Sequence, residues 1–175
     1  MANTPVRTGA FVTKVLNDFM KTSGLEPTLL GAKHLRILNA RPGQVNFELT
    51  INHQHTNRLN ILHGGTIASM VDLGGSLAVA SMGLYATGVS TDLNVTYLSS
   101  GGKAGDKIKV LAECEKMGKT LAFTRISFFN EKDELCARGS HTKFIEKARQ
   151  AQTSAYVVPF ENSSEAQDSG TTGSS

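Results

Sequence analysis

The run Asn57-Arg58-Leu59-Asn60-Ile61-Leu62-His63-Gly64-Gly65-Thr66 leads straight into an apolar helical segment, Ile67–Met82. A Gly-Gly pair at a helix start leaves backbone amides where no side chain blocks approach. The first N–H groups of a helix lack intrahelical partners and lie at the positive end of the macrodipole. They suit an anion, or a carbonyl oxygen that becomes an anion during reaction. Further along the same segment stands Asp72, with Ala68, Ser69, Gly75 and Ser76 as its neighbours at helical spacing. All four are small, so the carboxylate is expected in a shallow groove. Amide donors at a helix start and a carboxylate within the helix are two parts of an acyl-transfer site. A tight loop and a solvated acid are the plainer account of the same residues.

Other reactive residue types are sparser. His53, His55 and His63 lie close in sequence, and a strand would put His53 and His55 on one face. No acid or cysteine stands nearby to complete a metal site. No metal and no cofactor are therefore expected, and His55 and His63 read as hydrogen-bonded loop residues. Cys114 and Cys136 fit no metal spacing and read as reduced core or strand residues. His141 reads as a structural strand residue.

The elements that must carry these groups follow from periodicity. Phe11, Val12, Val15, Leu16, Phe19 and Met20 recur at helical spacing, so residues 10–22 form an amphipathic helix that Ser23-Gly24 and Pro27 end. Strands are expected at 34–39 and 44–51, the second from the strict alternation of Val45, Phe47, Leu49 and Ile51. After the 66–82 helix come four more strands, at 87–97, 107–116, 119–130 and 134–145, joined by short turns as an antiparallel meander. In the first of them Val89, Thr91, Leu93, Val95 and Tyr97 share one face, and Ser90, Asp92, Asn94 and Thr96 the other. The class is α+β. Gly74-Gly75 inside the central helix costs about 1 kcal/mol per glycine relative to alanine, which marks a close approach to its backbone. Tight packing on the chain's own sheet would account for it. A groove that packs on a second subunit and leaves room for a substrate is the preferred reading.

Composition sets the outer bounds. The 175 residues, 39% hydrophobic, suit one folded unit. It divides into an N-terminal helical region over 1–22, a main domain over 23–149 and a disordered tail over 150–175. No apolar run approaches the roughly 18 residues of a membrane span, and no secretory signal stands at the start. A cytoplasmic location is expected, with a mitochondrial one hinted at by Arg7 and Lys14 in an acid-free start. The net charge of +3 is too small to argue for nucleic acid. Residues 98–149 hold eleven Lys/Arg against seven Asp/Glu, a local surplus that suits a phosphorylated small ligand.

Taken together, His55-Thr56-Asn57, His63-Gly64-Gly65, Asp72, Gly88-Val89-Ser90-Thr91-Asp92-Leu93-Asn94-Val95-Thr96-Tyr97, Gly118-Lys119-Thr120-Leu121-Ala122-Phe123 and Gly139-Ser140-His141-Thr142-Lys143 resemble the hotdog-fold acyl-CoA thioesterases. The resemblance covers roughly residues 10–146 and lies nearest the branch related to bacterial phenylacetyl-CoA thioesterases. It implies a long helix wrapped by an antiparallel sheet, in a homodimer or a dimer of dimers. It also implies hydrolysis of acyl-CoA thioesters, with the CoA thioester as substrate rather than cofactor. By that resemblance, Gly64 polarises the thioester carbonyl. Asp72, from the partner subunit, acts as general base or nucleophile. Asn57 orients the reacting group, His63 supports the loop, and Ser90 positions water or thioester from the facing subunit. The CoA moiety is expected along Ser90, Asp92, Tyr97, Leu98, Ser99 and Lys103, with Lys116, Gly118, Lys119, Thr120, Leu121 and Lys143. The turn Ser99-Ser100-Gly101-Gly102-Lys103 departs from the Ser-Pro often found there. A hotdog hydratase would carry a histidine on the helix, and Leu77 stands where it would be. A non-catalytic acyl-CoA binding module would keep Gly64 and the basic turns without needing Asp72, Asn57 and Ser90 together. A carboxylate in a desolvated groove would gain basicity.

Overall fold

The structure, a computed structural model, describes residues 8–152. Helix α1 (Thr8–Thr22) buries Phe11, Val12, Val15 and Leu16. A short helix α2 (Leu25–Leu29) follows where sequence suggested only a stop. Pro27 occupies its first turn, where backbone N–H groups have no intrahelical partner, so the missing donor costs nothing. Strands β1 (Leu35–Arg41) and β2 (Gln44–Thr50) form a hairpin turned at Gly43, whose φ of 79° favours glycine. A single 3₁₀ turn at His53–His55 leads to α3 (Gly64–Ser81). The chain ends with β3 (Val89–Tyr97), β4 (Lys107–Met117), β5 (Leu121–Phe129), β6 (Leu135–Phe144) and α4 (Glu146–Ala151).

The six strands form one antiparallel sheet in the order β1-β2-β4-β5-β6-β3. The expected four-strand meander is thereby corrected: only β4, β5 and β6 follow one another, and β3 pairs with β6. Helix α3 carries the chain from β2 to the far edge of the sheet, which leaves the place beside β2 to β4. Among the described residues, β3 has a free edge and exposes Val89, Leu93 and Tyr97. An unpaired edge strand of nine residues with exposed apolar side chains is a template for pairing with another chain.

Helix α3 is buried almost all round, which is how a helix enclosed by a sheet and a second helix reads. Gly74-Gly75 faces the chain's own sheet, so the preferred reading of that pair as a subunit contact is corrected. A Cβ on Gly74 would stand 3.2 Å from Ile126 Cγ1. On Gly75 it would stand 2.3 Å from His141 Nδ1 and 2.8 Å from Thr124 Oγ1. The two glycines let α3 lie directly on β5 and β6.

A bulge at Thr91 breaks the expected alternation of β3. Ser90 reaches Asp72 on α3, and Val95, five residues on, packs against the same core. One extra residue flips the parity, so two residues read as facing opposite ways both face the helix. Near the C-terminus, α4 runs through Gln150 and Ala151. The Gln152 side chain donates to Gly83 O at 2.7 Å and accepts from Tyr85 N–H at 3.2 Å. Helix α4 thus spans the expected boundary at 149/150, and the rest of the expected tail, 153–175, lies outside the described residues. No helix among the described residues is long and apolar enough to cross a membrane.

Candidate active site

The site begins in the loop before α3. Asn57 folds its own turn: its Oδ1 accepts from Leu59 N–H at 2.8 Å and Ile61 N–H at 3.4 Å. His55 is fully buried and anchors the loop from below. Its Nδ1 accepts from Asn52 N–H at 3.0 Å, so Nε2, 3.1 Å from Leu30 O, carries the proton. Burial holds this ring below its ordinary pKa, which keeps it neutral. His53 points out while His55 points in, so the two do not share a face. The Gly-rich turn after β3 closes the loop: Leu62 N–H donates to Gly102 O at 2.8 Å, and a Cβ on Gly101 would stand 2.8 Å from Leu62 Cδ2.

At the start of α3, His63 is the N-cap, and its Nδ1 accepts from Gly65 N–H at 2.8 Å. One orphan amide is thus taken. The Gly64 N–H has no partner among the described residues. Tyr97, from β3, covers Gly64: its hydroxyl donates to Gly64 O at 2.9 Å, and its ring lies 3.3 Å from where a Cβ would be. The glycine admits the ring and is itself half-buried.

The second cluster centres on Asp72. Ser90 Oγ donates to Asp72 Oδ1 at 2.8 Å. His141 Nε2 lies 2.9 Å from Ser90 Oγ and 3.2 Å from Asp72 Oδ1. A carboxylate only accepts, so the tautomer with the proton on Nε2 satisfies both neighbours. His141 Nδ1, pressed against α3 at Gly75, has no partner among the described residues. Burial, aided by the Lys143 charge and opposed by Asp72, pushes the His141 pKa down to about 4. The ring is neutral at physiological pH. His141, expected as a structural strand residue, is fully buried in β6, and its ring also touches both polar groups of the site. Asp72, with a side chain 40% exposed, sits among polar partners rather than in a desolvated apolar groove. Serine, histidine and aspartate are the residues of a hydrolase triad, but the wiring differs. A triad histidine bridges serine and aspartate through different nitrogens. Here one nitrogen meets both, and the serine bonds the acid directly. Oδ2 of Asp72 has no protein partner among the described residues.

The remaining candidates divide by place. Asp92, Leu98, Ser99, Lys103, Lys116, Lys119 and Thr120 are exposed, and Gly118 and Leu121 are half-buried. Lys116 to Leu121 form the tight β4–β5 turn, closed by Gly118 N–H donating to Leu121 O at 2.8 Å. Lys143 does not belong with these surface lysines. It lies within β6, is 3% exposed, and its Nζ donates to Ser76 Oγ at 2.9 Å. Asp72, Ser90 and His141 thus form one cluster beside Lys143. Gly64, His63 and Tyr97 form another, and Asn57 shapes the loop leading to the second. Eight residues of helix, roughly 12 Å, separate Gly64 from Asp72.

A long buried helix inside a curved antiparallel sheet, glycine at its start and an anchored acid two turns on, defines a hotdog-fold thioester hydrolase. The family model described as "Thioesterase superfamily" matches residues 59–137, which include Gly64, Asp72 and Ser90 and stop short of His141. A Schizosaccharomyces pombe protein named as an esterase is 43% identical over 139 residues, 79% of this chain and 85% of that one. Human acyl-coenzyme A thioesterase 13 is 39% identical over 112 residues, 63% of this chain and 79% of that one. The crystal structure of zebrafish thioesterase superfamily member 2 superposes with a TM-score of 0.71 at 34% identity, covering 79% of this chain and 98% of that one. The chain belongs to the thioesterase superfamily.

Proposed function

We propose that the protein hydrolyses acyl-CoA thioesters at a site shared by two copies of the chain. The observation that carries this is the division of the machinery along α3. The vacant Gly64 amide and the anchored Asp72 carboxylate lie too far apart in one chain to meet the same carbonyl. Two chains joined at the β3 edges and packed with α3 antiparallel would bring each Gly64 to the other's Asp72, with two-fold symmetry giving two such sites. Thioester hydrolysis is the activity of the superfamily, and the names of relatives such as acyl-coenzyme A thioesterase 13 supply the acyl-CoA.

The chemistry follows from the parts. Gly64 N–H donates to the thioester carbonyl oxygen and stabilises the charge that develops there; such a donor is typically worth about 2.7–4 kcal/mol of barrier. Ser90 and His141 hold Asp72 Oδ1, which leaves Oδ2 to accept the proton of an attacking water. The water oxygen bonds to the carbonyl carbon, the C–S bond breaks, and the proton held by Asp72 passes to the departing thiolate. The products are the carboxylate, CoA thiol and one released proton. Asn57 and His63 shape the loop that presents Gly64. Lys116 and Lys119, with Lys103, line the exposed turns where the CoA phosphates are held. The test is free-thiol release from a panel of acyl-CoA thioesters. Asp72→Asn should slow turnover at least about 100-fold, the scale of a lost general base, in a protein that still folds. Undiminished turnover by the folded variant would refute the assignment.

A further inference from the structure

Asp72 opens onto a cavity of about 710 Å³ between α1, α3, the segment 85–90 and the end of β6. Val15, Phe19, Val89 and Ala148 give it apolar walls. Lys143 is the exception. It projects from β6 at the position paired with Ser90, and it is nearly fully buried. An ammonium group carries three donors. Among the described residues Ser76 Oγ is the one hydrogen-bond partner of Nζ, and Lys143 takes part in none of the ion pairs. A buried cation in no close ion pair is costly, even with the Asp72 carboxylate in the same cavity. Burial lowers the amine pKa against the pull of Asp72 and Glu26, and an anion placed beside it would favour the charged form.

Position defines the ligand. Ser76 follows Asp72 by one helical turn, roughly 6 Å along α3. A carbonyl carbon attacked beside Asp72 has the next several carbons of its acyl chain running past Ser76 and Lys143. Three other charged residues line the cavity: Asp72 itself, held by Ser90 and His141, Asp18 from α1, which accepts from the Tyr85 hydroxyl, and Lys147 from α4. Lys147 adds a second cation, and Asp18 is already engaged. A plain alkyl chain would lie against the Lys143 ammonium with nothing to offer it. We propose that the acyl subsite selects acyl groups ending in a carboxylate, the CoA thioesters of short dicarboxylic acids of about glutaryl to adipoyl length, with Lys143 as the counter-ion. The inference rests on the thioesterase reading above.

Three substrates of matched length test it on the full-length protein: adipoyl-CoA, its methyl monoester, and hexanoyl-CoA, each assayed by thiol release. Wild type should favour adipoyl-CoA over both neutral substrates in kcat/KM by at least about tenfold, the scale of one charge-assisted hydrogen bond. Lys143→Met should bring the adipoyl-CoA to hexanoyl-CoA ratio of kcat/KM down toward one, whatever it does to the absolute rates. The monoester comparison uses wild type alone, so the inference stays refutable even if the variant fails to fold. Wild type that cleaves hexanoyl-CoA as well as adipoyl-CoA would overturn the inference and leave the thioesterase reading standing. A preference for 6-hydroxyhexanoyl-CoA over adipoyl-CoA would also overturn it, since a neutral acceptor would then be what Lys143 selects. Failure to cleave any of the thioesters would overturn both.

Discussion

Gly75→Ala should inactivate the enzyme without unfolding it. The alanine Cβ would stand 2.3 Å from His141 Nδ1, 3.0 Å from its Cγ and 2.8 Å from Thr124 Oγ1, where ordinary contact begins at 3.4 Å. The imidazole must therefore retreat from α3 by about an ångström. Its two contacts with the site, 2.9 Å to Ser90 and 3.2 Å to Asp72, are of ordinary length, and lengthening each by about 1 Å would carry both past the roughly 3.5 Å at which a hydrogen bond ends. A displacement of about 1 Å at a positioning group costs on the order of 100-fold in rate. Stability changes less, because two effects oppose: alanine gains roughly 1 kcal/mol of helix propensity over glycine, while overpacking a core costs about 1–3 kcal/mol. The net loss is at most about 2 kcal/mol. The assay pairs thiol release from an acyl-CoA with thermal unfolding of the same preparation. A Gly75→Ala protein with wild-type kcat would show that His141 does not position Asp72. Loss of folding together with activity would show that the glycine serves packing alone.

Two further outcomes follow from the same geometry. The His141 pKa in the fold, about 4, lies below the ordinary value of 6.5, so the unfolded chain binds more protons between those values. Stability should thus be undiminished by this group above pH 6.5 and fall as pH drops toward 4, by up to about 3 kcal/mol at 1.36 kcal/mol per unit. Denaturant titrations at several pH values should show that decline in wild type, and it should be smaller in His141→Gln; equal slopes would contradict the assignment. At the β4–β5 turn, Lys116→Ala with Lys119→Ala should raise KM for acyl-CoA while leaving kcat nearly unchanged, because phosphate contacts are alike in ground and transition states. Added salt should act in the same direction by screening, and an unaltered KM would place the CoA phosphates elsewhere.

Much of this fold was legible because its signals are local. Helical spacing from Phe11 to Met20 and the alternation of Val45, Phe47, Leu49 and Ile51 require no knowledge of partners, and the predicted strands fall within two residues of those found. Strand pairing is not local. Nothing within residues 87–116 says that β3 joins β6 and leaves β4 to β2, because that follows from where α3 deposits the chain. The Thr91 bulge carries no sequence mark either, so Ser90 and Val95, expected on opposite faces, both face the helix. Gly64, Asp72 and Ser90 stood out because residue type and motif coincide. His141 did not, since an alternating strand gives a histidine an inward position without saying what it meets. Its signal lay elsewhere, in the energetic cost of Gly74-Gly75. That cost showed a close approach and could not say from which side. Lys143 was grouped with the turn lysines because a lysine in a strand announces charge, and only tertiary packing shows that this one is buried on Ser76.

The central claim, that Gly64 of one chain and Asp72 of another act on the same thioester, has a direct test in mixed subunits. Gly64→Pro removes the amide hydrogen with little other change. Proline is tolerated at the first helical position, and His63 before it is already extended at φ −70°, ψ 135°. Tyr97, 3.3 Å from the new Cβ, need give only a few tenths of an ångström. Asp72→Asn and Gly64→Pro proteins, each weakly active alone, should be unfolded together, refolded as an equal mixture and assayed for thiol release. In a mixed dimer one shared site has both groups intact and the other has neither. With half of the dimers mixed, the account predicts recovery of roughly one quarter of wild-type activity. A mixture no more active than its components, with mixed dimers shown to have formed, would contradict it.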